Sequence, residues 1–412
     1  MDKALLVGCS TTATEEDILT SLDELGHLAE AVGIEPAGTI TQRSHAISPA
    51  TYVGSGKVEE IKSAITALDI DVVIFDDPLS PAQLKNLEKA LEVQVMDRSF
   101  LIMQIFALRA RTNEAVLEVS LAQKTYMLPR LVGMRASLSR QGGGSYNAKG
   151  PGETKLELDR RKLQKEIRTI KDRLEKIRKD KETARKQRER NRIPVVALVG
   201  YTNAGKSSLM NSLSETLQHP SDPVFEKDML FATLDTKSKK LQKENMPPFI
   251  LVDTVGFVSK LPHELVRSFE TTLSDVVLAD LVILVADGTD PDTSKTDTTK
   301  EVLKSIGADA IERIVVMTKK DLFDHDNPHS LETICVSNRT GENINALIDA
   351  IYGHLYRESR IQRLMIPFED GAVYSAIKET TTVLETMYLD DGIHLRAVLT
   401  PDQAIQYRRW IL

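Results

Sequence analysis

The sequence predicts a multidomain α/β chain. A mostly parallel sheet flanked by helices is preceded by an α/β unit and a long antiparallel helical hairpin, and followed by a small α+β domain. Three observations predict this. First, an apolar run from Ile193 to Val199 leads through Gly200-Tyr201-Thr202-Asn203-Ala204-Gly205-Lys206-Ser207 into Ser208-Leu209-Met210-Asn211-Ser212-Leu213. Strand, glycine loop and helix start therefore arrive in the order a phosphate-binding loop requires. Second, residues 1–98 alternate strand and helix signals, as a small parallel sheet with covering helices does. Third, residues 154–192 repeat apolar side chains every seven positions. The expected domains are 1–98, an α/β unit; 99–192, a helical hairpin with a glycine-rich tip; 193–358, the nucleotide domain; and 359–412, the α+β domain.

In the first unit, KALLVG, AGTITQ, DVVIFDD and VQVMD read as strands. Helices are expected from about Glu15 to Val32, Val58 to Leu68 and Pro81 to Leu91. Gly54-Ser55-Gly56-Lys57 has the glycines of a second phosphate loop but lacks its spacing and trailing Ser/Thr, so it reads as a helix start. From Ser99 the pattern turns helical, with Leu117, Leu121, Tyr126 and Leu128 available for an apolar face, and Pro129 ends or bends that helix. Ser139 to Glu153 holds five glycines and almost no apolar anchor, the composition of a loop. Thr154 to Arg192 reads as one helix. Leu156, Leu163, Ile170 and Ile177 form a heptad series, and Ile167 and Leu174 supply the alternate spacing. Some 38 helical residues would reach roughly 57 Å. The simplest partner for the seam is the preceding helix, folded back with the glycine loop at the tip. After the nucleotide domain, RLMIPF, a helix from Gly371 to Thr380, TVLETMYL, IHLRAVL and a helix from Asp402 to Trp410 predict the last unit.

Composition narrows the class. With 41% hydrophobic and 27% charged residues, the chain has the make-up of an ordinary water-soluble protein. No apolar run approaches the roughly 18 residues that span a bilayer, and the first ten residues read as a strand rather than a signal peptide. Cys9 and Cys335, far apart in sequence, fit a reducing cytoplasm. The net charge of −7 is uneven: residues 129–192 carry 21 Lys/Arg against 9 Asp/Glu, so +12 there is balanced by −19 elsewhere. That segment is either a polyanion contact or a solvated helix laced with ion pairs.

In the glycine loop, Gly200 and Gly205 permit backbone shapes a Cβ would forbid, so consecutive N–H groups can turn inward around phosphate oxygens. The helix that starts at Lys206 adds its positive end. Lys206 can reach the β- and γ-phosphates, and the Ser207 hydroxyl can ligate Mg²⁺. Asp253-Thr254-Val255-Gly256 follows the apolar strand FILV. The Asp253 carboxylate can hold the water shell of the Mg²⁺, and the Gly256 N–H can meet the γ-phosphate. Between these motifs, Phe231 and Thr233 lie in LFATLDT, with Thr233 placed to bind both Mg²⁺ and the γ-phosphate.

The base is selected at Thr318-Lys319-Lys320-Asp321, after the strand RIVVM. An aspartate carboxylate accepts hydrogen bonds from guanine N1–H and its exocyclic amine, whereas adenine would face it with an acceptor. Lys319 would lie along the base, and Ser337 and Asn338, after the strand TICV, would cap it from the other side. The nucleotide is GTP, hydrolysed to GDP, and residues 193–358 read as a P-loop GTPase domain. A metabolic P-loop ATPase, the competing reading, predicts no change in base preference on Asp321→Asn.

These motifs resemble those of the translation-factor-related GTPases, and the upstream segment narrows the likeness. Gln141-Gly142-Gly143-Gly144, then Gly150-Pro151-Gly152-Glu153-Thr154-Lys155-Leu156-Glu157, then Asp159-Arg160-Arg161, is similar to the signature of the HflX family. The likeness covers nearly the whole chain. It implies a ribosome-associated GTPase that binds the large subunit or whole ribosome and, in some members, splits stalled or idle ribosomes; a cytoplasmic monomer is expected. Two residues depart from the family pattern: the usual base motif has Asn where Thr318 stands, and the usual final motif has Ala where Asn338 stands.

Phe257 occupies the position where many GTPases carry a water-orienting glutamine, and phenylalanine cannot orient water by hydrogen bonding. Slow intrinsic hydrolysis is therefore expected, completed by a partner or a cation. Asn203 sits where similar cation-activated GTPases have a potassium-ligating asparagine; K⁺ ligation and simple stabilisation of the turn are both open. Arg130, Arg135, Arg140 and Lys149 surround the tip in sequence, and Arg140, Gln141, Gly142, Gly143, Gly144, Lys149, Arg160 and Arg161 are the candidate contacts to ribosomal RNA. The alternatives are a GTPase acting in ribosome assembly, or a signalling switch whose arm is a protein–protein coiled coil.

Overall fold

The computed structural model describes residues 2–134, 151–191, 193–217, 237–244, 246–260, 276–290, 294–323 and 333–412. They fall into two compact units. Met1–Ile177 forms the body of the first, and Arg178–Asp228, Ala232–Ser259 and Thr271–Leu412 form the body of the second.

The first unit opens with β1 (Lys3–Ser10), α1 (Glu15–Glu30), β2 (Glu35–Arg43), α2 (Ser55–Leu68), β3 (Val72–Phe75), α3 (Pro81–Leu91) and β4 (Gln94–Asp97). The strands pair in parallel in the order β2-β1-β3-β4. Local chemistry sets the helix starts. Thr14 with Asp17, and Ser80 with Gln83, form reciprocal capping boxes, and Pro81 follows its cap at the first helical position. Gly54 caps α2 without a side-chain bond, and Lys57 pairs with Glu60 at 2.7 Å, so this glycine stretch starts a helix as expected.

Two helices follow rather than one. α4 (Arg98–Arg109) is capped by Asp97, and α5 (Asn113–Met134) begins after a break. Pro129 does not end α5, which runs on for another turn. Tyr126 stacks on Phe100 with ring centroids 5.5 Å apart, and the Arg130 guanidinium covers its other face at 3.2 Å. Arg130 is buried, donates to the Leu79 carbonyl at 2.7 Å and lies 3.5 Å from Asp97. These tertiary anchors outweigh the lost proline N–H. They also spend the Arg130 charge inside the first unit, so it adds nothing to the basic surface around the tip.

The helical hairpin is present. In α6 (Pro151–Asn191), Ile170 and Leu174 are buried against Leu117 and Leu121 of α5, with Ile167 and Ile177 packed beside them. Lys124 pairs with Glu166 at 2.6 Å while the earlier Leu117 and Leu121 cluster with the later Ile170 and Leu174, the antiparallel sense. The loop residues 135–150 lie outside the described residues, and with them Arg135, Arg140, Gln141, Gly142, Gly143, Gly144 and Lys149.

The second unit is built on six strands. These are β5 (Val195–Gly200), β6 (Lys237–Leu241), β7 (Phe249–Asp253), β8 (Leu281–Asp287), β9 (Arg313–Thr318) and β10 (Thr333–Cys335). Their order is β10-β9-β8-β5-β7-β6, with all pairs parallel except β6 on β7. Against this sheet pack α7 (Lys206–Thr216) and α9 (Ile344–Leu355), and α8 (Ser294–Ser305) precedes β9. β5 and β7 are buried almost throughout, as the continuous apolar runs of a doubly covered parallel sheet require. Both strands therefore deliver their C-terminal residues to one edge of the sheet.

The same unit ends in β11 (Arg360–Ile366), α10 (Gly371–Thr380), β12 (Thr382–Leu389), β13 (Gly392–Leu399) and α11 (Pro401–Gln406). The antiparallel sheet β11-β13-β12 has its own core of Leu364, Ile366, Ile377, Leu395 and Leu399. Trp410 donates to Asp370 at 2.9 Å and closes it. The mixed, mostly parallel α/β architecture agrees with the fold class expected. Among the described residues no helix is long and apolar enough to cross a membrane.

Candidate functional site

The glycine loop occupies the C-terminal edge of β5, between β7 and β8. Gly200 is fixed by crowding: a Cβ there would lie 2.1 Å from the Val285 carbonyl oxygen on β8. Asn203 and Gly205 adopt φ of +61° and +83°, left-handed shapes that asparagine tolerates and glycine accepts freely. The turn alone therefore accounts for an asparagine at 203. Ala204 is buried, and Gly205 caps α7 with Lys206, Ser207 and Ser208 in its first turn.

Lys206 is buried, and its Nζ donates to the carbonyls of Tyr201 at 2.8 Å and Gly200 at 3.1 Å. Burial lowers its pKa to about 8, against the opposing pull of the Asp253 charge. Ser207 Oγ donates to Asp253 Oδ2 at 2.7 Å, which joins the loop to the end of β7. Beyond Asp253 the chain turns along the loop: Thr202 N donates to Phe257 O at 2.7 Å, and Phe257 N donates to Gly200 O at 3.1 Å. This short ladder presses Gly256 against the loop so closely that a Cβ would lie 2.9 Å from both Lys206 Nζ and Thr202 Cα. Phe257 is buried, with no side-chain polar group to offer. Tyr201 is tied down as well, its hydroxyl accepting from Ser259 N and Lys295 Nζ lying 5.7 Å from its ring centre.

The third strip comes from β9. Thr318 is buried and its hydroxyl faces the carbonyls of Ala204 at 2.8 Å and Ala286 at 3.2 Å. Lys319, at φ +62°, pairs through Nζ with Asp287 at 2.7 Å. Burial alone would raise Asp287, but hydrogen bonds from Lys319 and Thr289 hold its carboxyl below the usual range. Ser337 Oγ donates to Asp321 Oδ1 at 2.6 Å, and this bond is the main reason that carboxyl is also lowered. Asn338 Nδ2 donates to Gly205 O at 3.2 Å. Gly200 to Ser208, Asp253, Gly256, Thr318 and Asn338 are thus brought together, with Asp321 joined through Ser337. Phe231 and Thr233 lie outside the described residues. Arg160 and Arg161 are exposed on α6, Arg161 paired with Glu157 at 2.6 Å.

These residues fit a magnesium-bound nucleoside triphosphate. Left-handed residues turn the loop inward, the Ser207 hydroxyl and a buried carboxylate stand together, and a glycine is kept where a Cβ would strike the lysine. Thr202 Oγ1 and Asn338 Oδ1 are buried and have no hydrogen-bond partner among the described residues. One residue escaped the sequence reading: Asp287 was signalled only by its place at the end of a buried strand. Tyr201 was read as part of the loop, but the contacts that clamp its ring and hydroxyl carried no signal.

Fold and site together define a P-loop GTPase. Family descriptions match along the chain: a GTP-binding GTPase N-terminal region over residues 19–107, a GTP-binding GTPase middle region over 109–188 and a 50S ribosome-binding GTPase over 195–319. The GTPase HflX of Caldanaerobacter subterraneus subsp. tengcongensis is 40% identical over the whole of this chain and 94% of its own. That of Escherichia coli K12 is 37% identical over 92% of this chain and 89% of its own. The chain belongs to the HflX family of GTPases. It binds GTP and is a GTP-hydrolysing enzyme. Among solved structures, a GTP-binding protein of the archaeon Sulfolobus solfataricus in complex with GDP is 23% identical, covering 87% of this chain and 99% of its own, at a TM-score of 0.43.

Proposed function

We propose that this chain uses GTP to dock on the large ribosomal subunit and to dissociate or recycle idle or stalled ribosomes, acting as a cytoplasmic monomer. The observation that carries the reading is the charge distribution: +12 over residues 129–192 in a chain of net −7, immediately before a domain described as a 50S ribosome-binding GTPase. Basic residues along an arm supply phosphate attraction without sequence reading. Arg140, Gln141, Gly142, Gly143, Gly144, Lys149, Arg160 and Arg161 are the assigned RNA contacts. A glycine-rich tip can enter an RNA-lined cavity where larger side chains would clash. The working division into 1–98, 99–192, 193–358 and 359–412 belongs to the same proposal.

At the nucleotide, the loop N–H groups from Tyr201 to Ser208 surround the phosphates and Lys206 neutralises the β- and γ-oxygens. Ser207, Thr233 and Asp253 are the residues that would hold Mg²⁺. The ion, when bound, withdraws charge from the β- and γ-oxygens. Gly256 N–H marks the γ-phosphate, Phe231 belongs to the proposed nucleotide-binding set, and Lys319, Asp321, Ser337 and Asn338 take the base. Because Phe257 cannot position the attacking water, hydrolysis is slow until the ribosome or a K⁺ ion at Asn203 completes the site. Equal turnover in K⁺ and Na⁺ would remove the K⁺ role.

Cosedimentation with ribosomes at rising salt tests the docking. The expected result is binding with a non-hydrolysable GTP analogue that falls steeply with salt and is lost on deleting Ser139 to Gly152. Binding unchanged by that deletion contradicts tip insertion. No binding at any salt favours the signalling alternative.

A further inference from the structure

The two departures from the family pattern meet at one glycine. A Cβ on Gly205 would lie 3.2 Å from Asn338 Nδ2 and 3.3 Å from Thr318 Oγ1, so both side chains converge on the same turn of the loop. Their hydrogen-bonding capacities differ. The Thr318 hydroxyl has one proton, and both acceptors within its reach are main-chain carbonyls, Ala204 at 2.8 Å and Ala286 at 3.2 Å. It has none left for a ligand acceptor. Asn338 has two Nδ2 hydrogens, of which one goes to Gly205 O at 3.2 Å. Turning the amide over would put Oδ1 against that carbonyl, so the contact fixes its orientation. The second hydrogen has no partner among the described residues, and Oδ1 is buried without one.

The location says what the carboxamide faces. Asn338 follows Ser337, whose hydroxyl holds Asp321 at 2.6 Å, and it reaches to Gly205 of the phosphate loop. It therefore stands between the group that takes the donor edge of a guanine and the loop that takes its phosphates. The guanine atoms next to that donor edge are acceptors, O6 and then N7. We propose that Asn338 donates its second Nδ2 hydrogen to this acceptor edge. The carboxamide at 338 thereby replaces the one missing at 318, and Thr318 serves only to tie β9 to the loop. The proposal rests on the guanine reading of the site.

The test is equilibrium binding to the full-length protein of GDP, 7-deaza-GDP, which lacks N7, and 6-thio-GDP, which keeps N1–H for Asp321 but replaces O6 with a weaker sulfur acceptor. The wild type should bind at least one analogue about three- to ten-fold more weakly than GDP, the range of one neutral hydrogen bond. Asn338→Ala should lose a similar factor for GDP and stop discriminating that analogue. Thr318→Asn combined with Asn338→Ala should recover GDP affinity and the discrimination together. Asn338→Ser, smaller but polar, should behave as the alanine variant does, and circular dichroism of each variant without nucleotide checks the fold. Unchanged discrimination in Asn338→Ala, or no recovery in the double variant, overturns the proposal. Asp321→Asn separates the two levels. If it gains xanthosine diphosphate while Asn338→Ala does nothing, the guanine reading stands and only the role of Asn338 falls.

Discussion

Buried against carbonyl oxygens with a pKa near 8, the Lys206 ammonium is a charge that the fold holds at a cost. Its ordinary value of 10.5 lies above the folded one, so between about pH 8 and 10.5 the unfolded chain binds more protons and stability rises with pH. Below pH 8 the full cost, about 3 kcal/mol, is present in the nucleotide-free protein. Lys206→Met should therefore melt above the wild type at pH 7, with the gap closing towards pH 10.5, while losing nucleotide binding; thermal scans across pH check it. A phosphate chain beside Lys206 would raise its pKa again, so GTP binding above pH 8 should take up a proton. Calorimetry in buffers of different ionisation enthalpy reads this directly. At the other end of the site, Asp321→Asn should shift preference from guanosine to xanthosine nucleotides, since an amide offers a donor where the carboxylate only accepted. Lys206, Ser207 and Asp321 were legible because their spacing is set by the short segments that carry them. The Ser337 bond to Asp321 and the Asp287 bond to Lys319 join residues 16 and 32 positions apart. Only the strand order β8-β9-β10 brings those pairs together, and no local pattern encodes it.

Elements were legible where one periodicity ruled and less so where packing intervened. Pro81 to Leu91 and Gly371 to Thr380 were bounded correctly by a cap, a proline or a strand following at once. The break between α4 and α5 was missed because apolar residues continue on both sides of it. Pro129 does not end its helix because Arg130 and Tyr126 are held by groups from earlier in the chain. The hairpin seam was legible through its heptads, and it makes a quantitative prediction. Leu121→Ala or Ile170→Ala should each destabilise the first unit by about 2–4 kcal/mol, and the double variant should lose less than the sum, because the two share one cluster. Chemical denaturation of the full chain reads both. The strip from Asp253 to Phe257 gives another. Gly256→Ala puts a methyl carbon 2.9 Å from Lys206 Nζ, closer than the two can pack, so single-turnover hydrolysis should fall by more than ten-fold while Asp321-dependent base preference persists.

At the scale of the molecule, sequence conveyed charge and domain character better than it conveyed contacts. The +12 of residues 129–192 is read from composition alone, and burial of Arg130 removes one of those charges from the surface. The remaining excess makes an electrostatic prediction about the whole chain: ribosome affinity should fall linearly on a log–log plot against salt, and reversing Arg160 and Arg161 to Glu should flatten that slope. Whether GTP on this chain drives a change in ribosome state is read from sucrose-gradient profiles of 70S ribosomes incubated with the protein. With GTP or a non-hydrolysable analogue, the whole-ribosome peak should give way to free subunits, the protein migrating with the large one, and GDP should leave the profile unchanged. A profile identical under all three nucleotides, with the protein remaining at the top of the gradient, would rule out GTP-driven action on the ribosome.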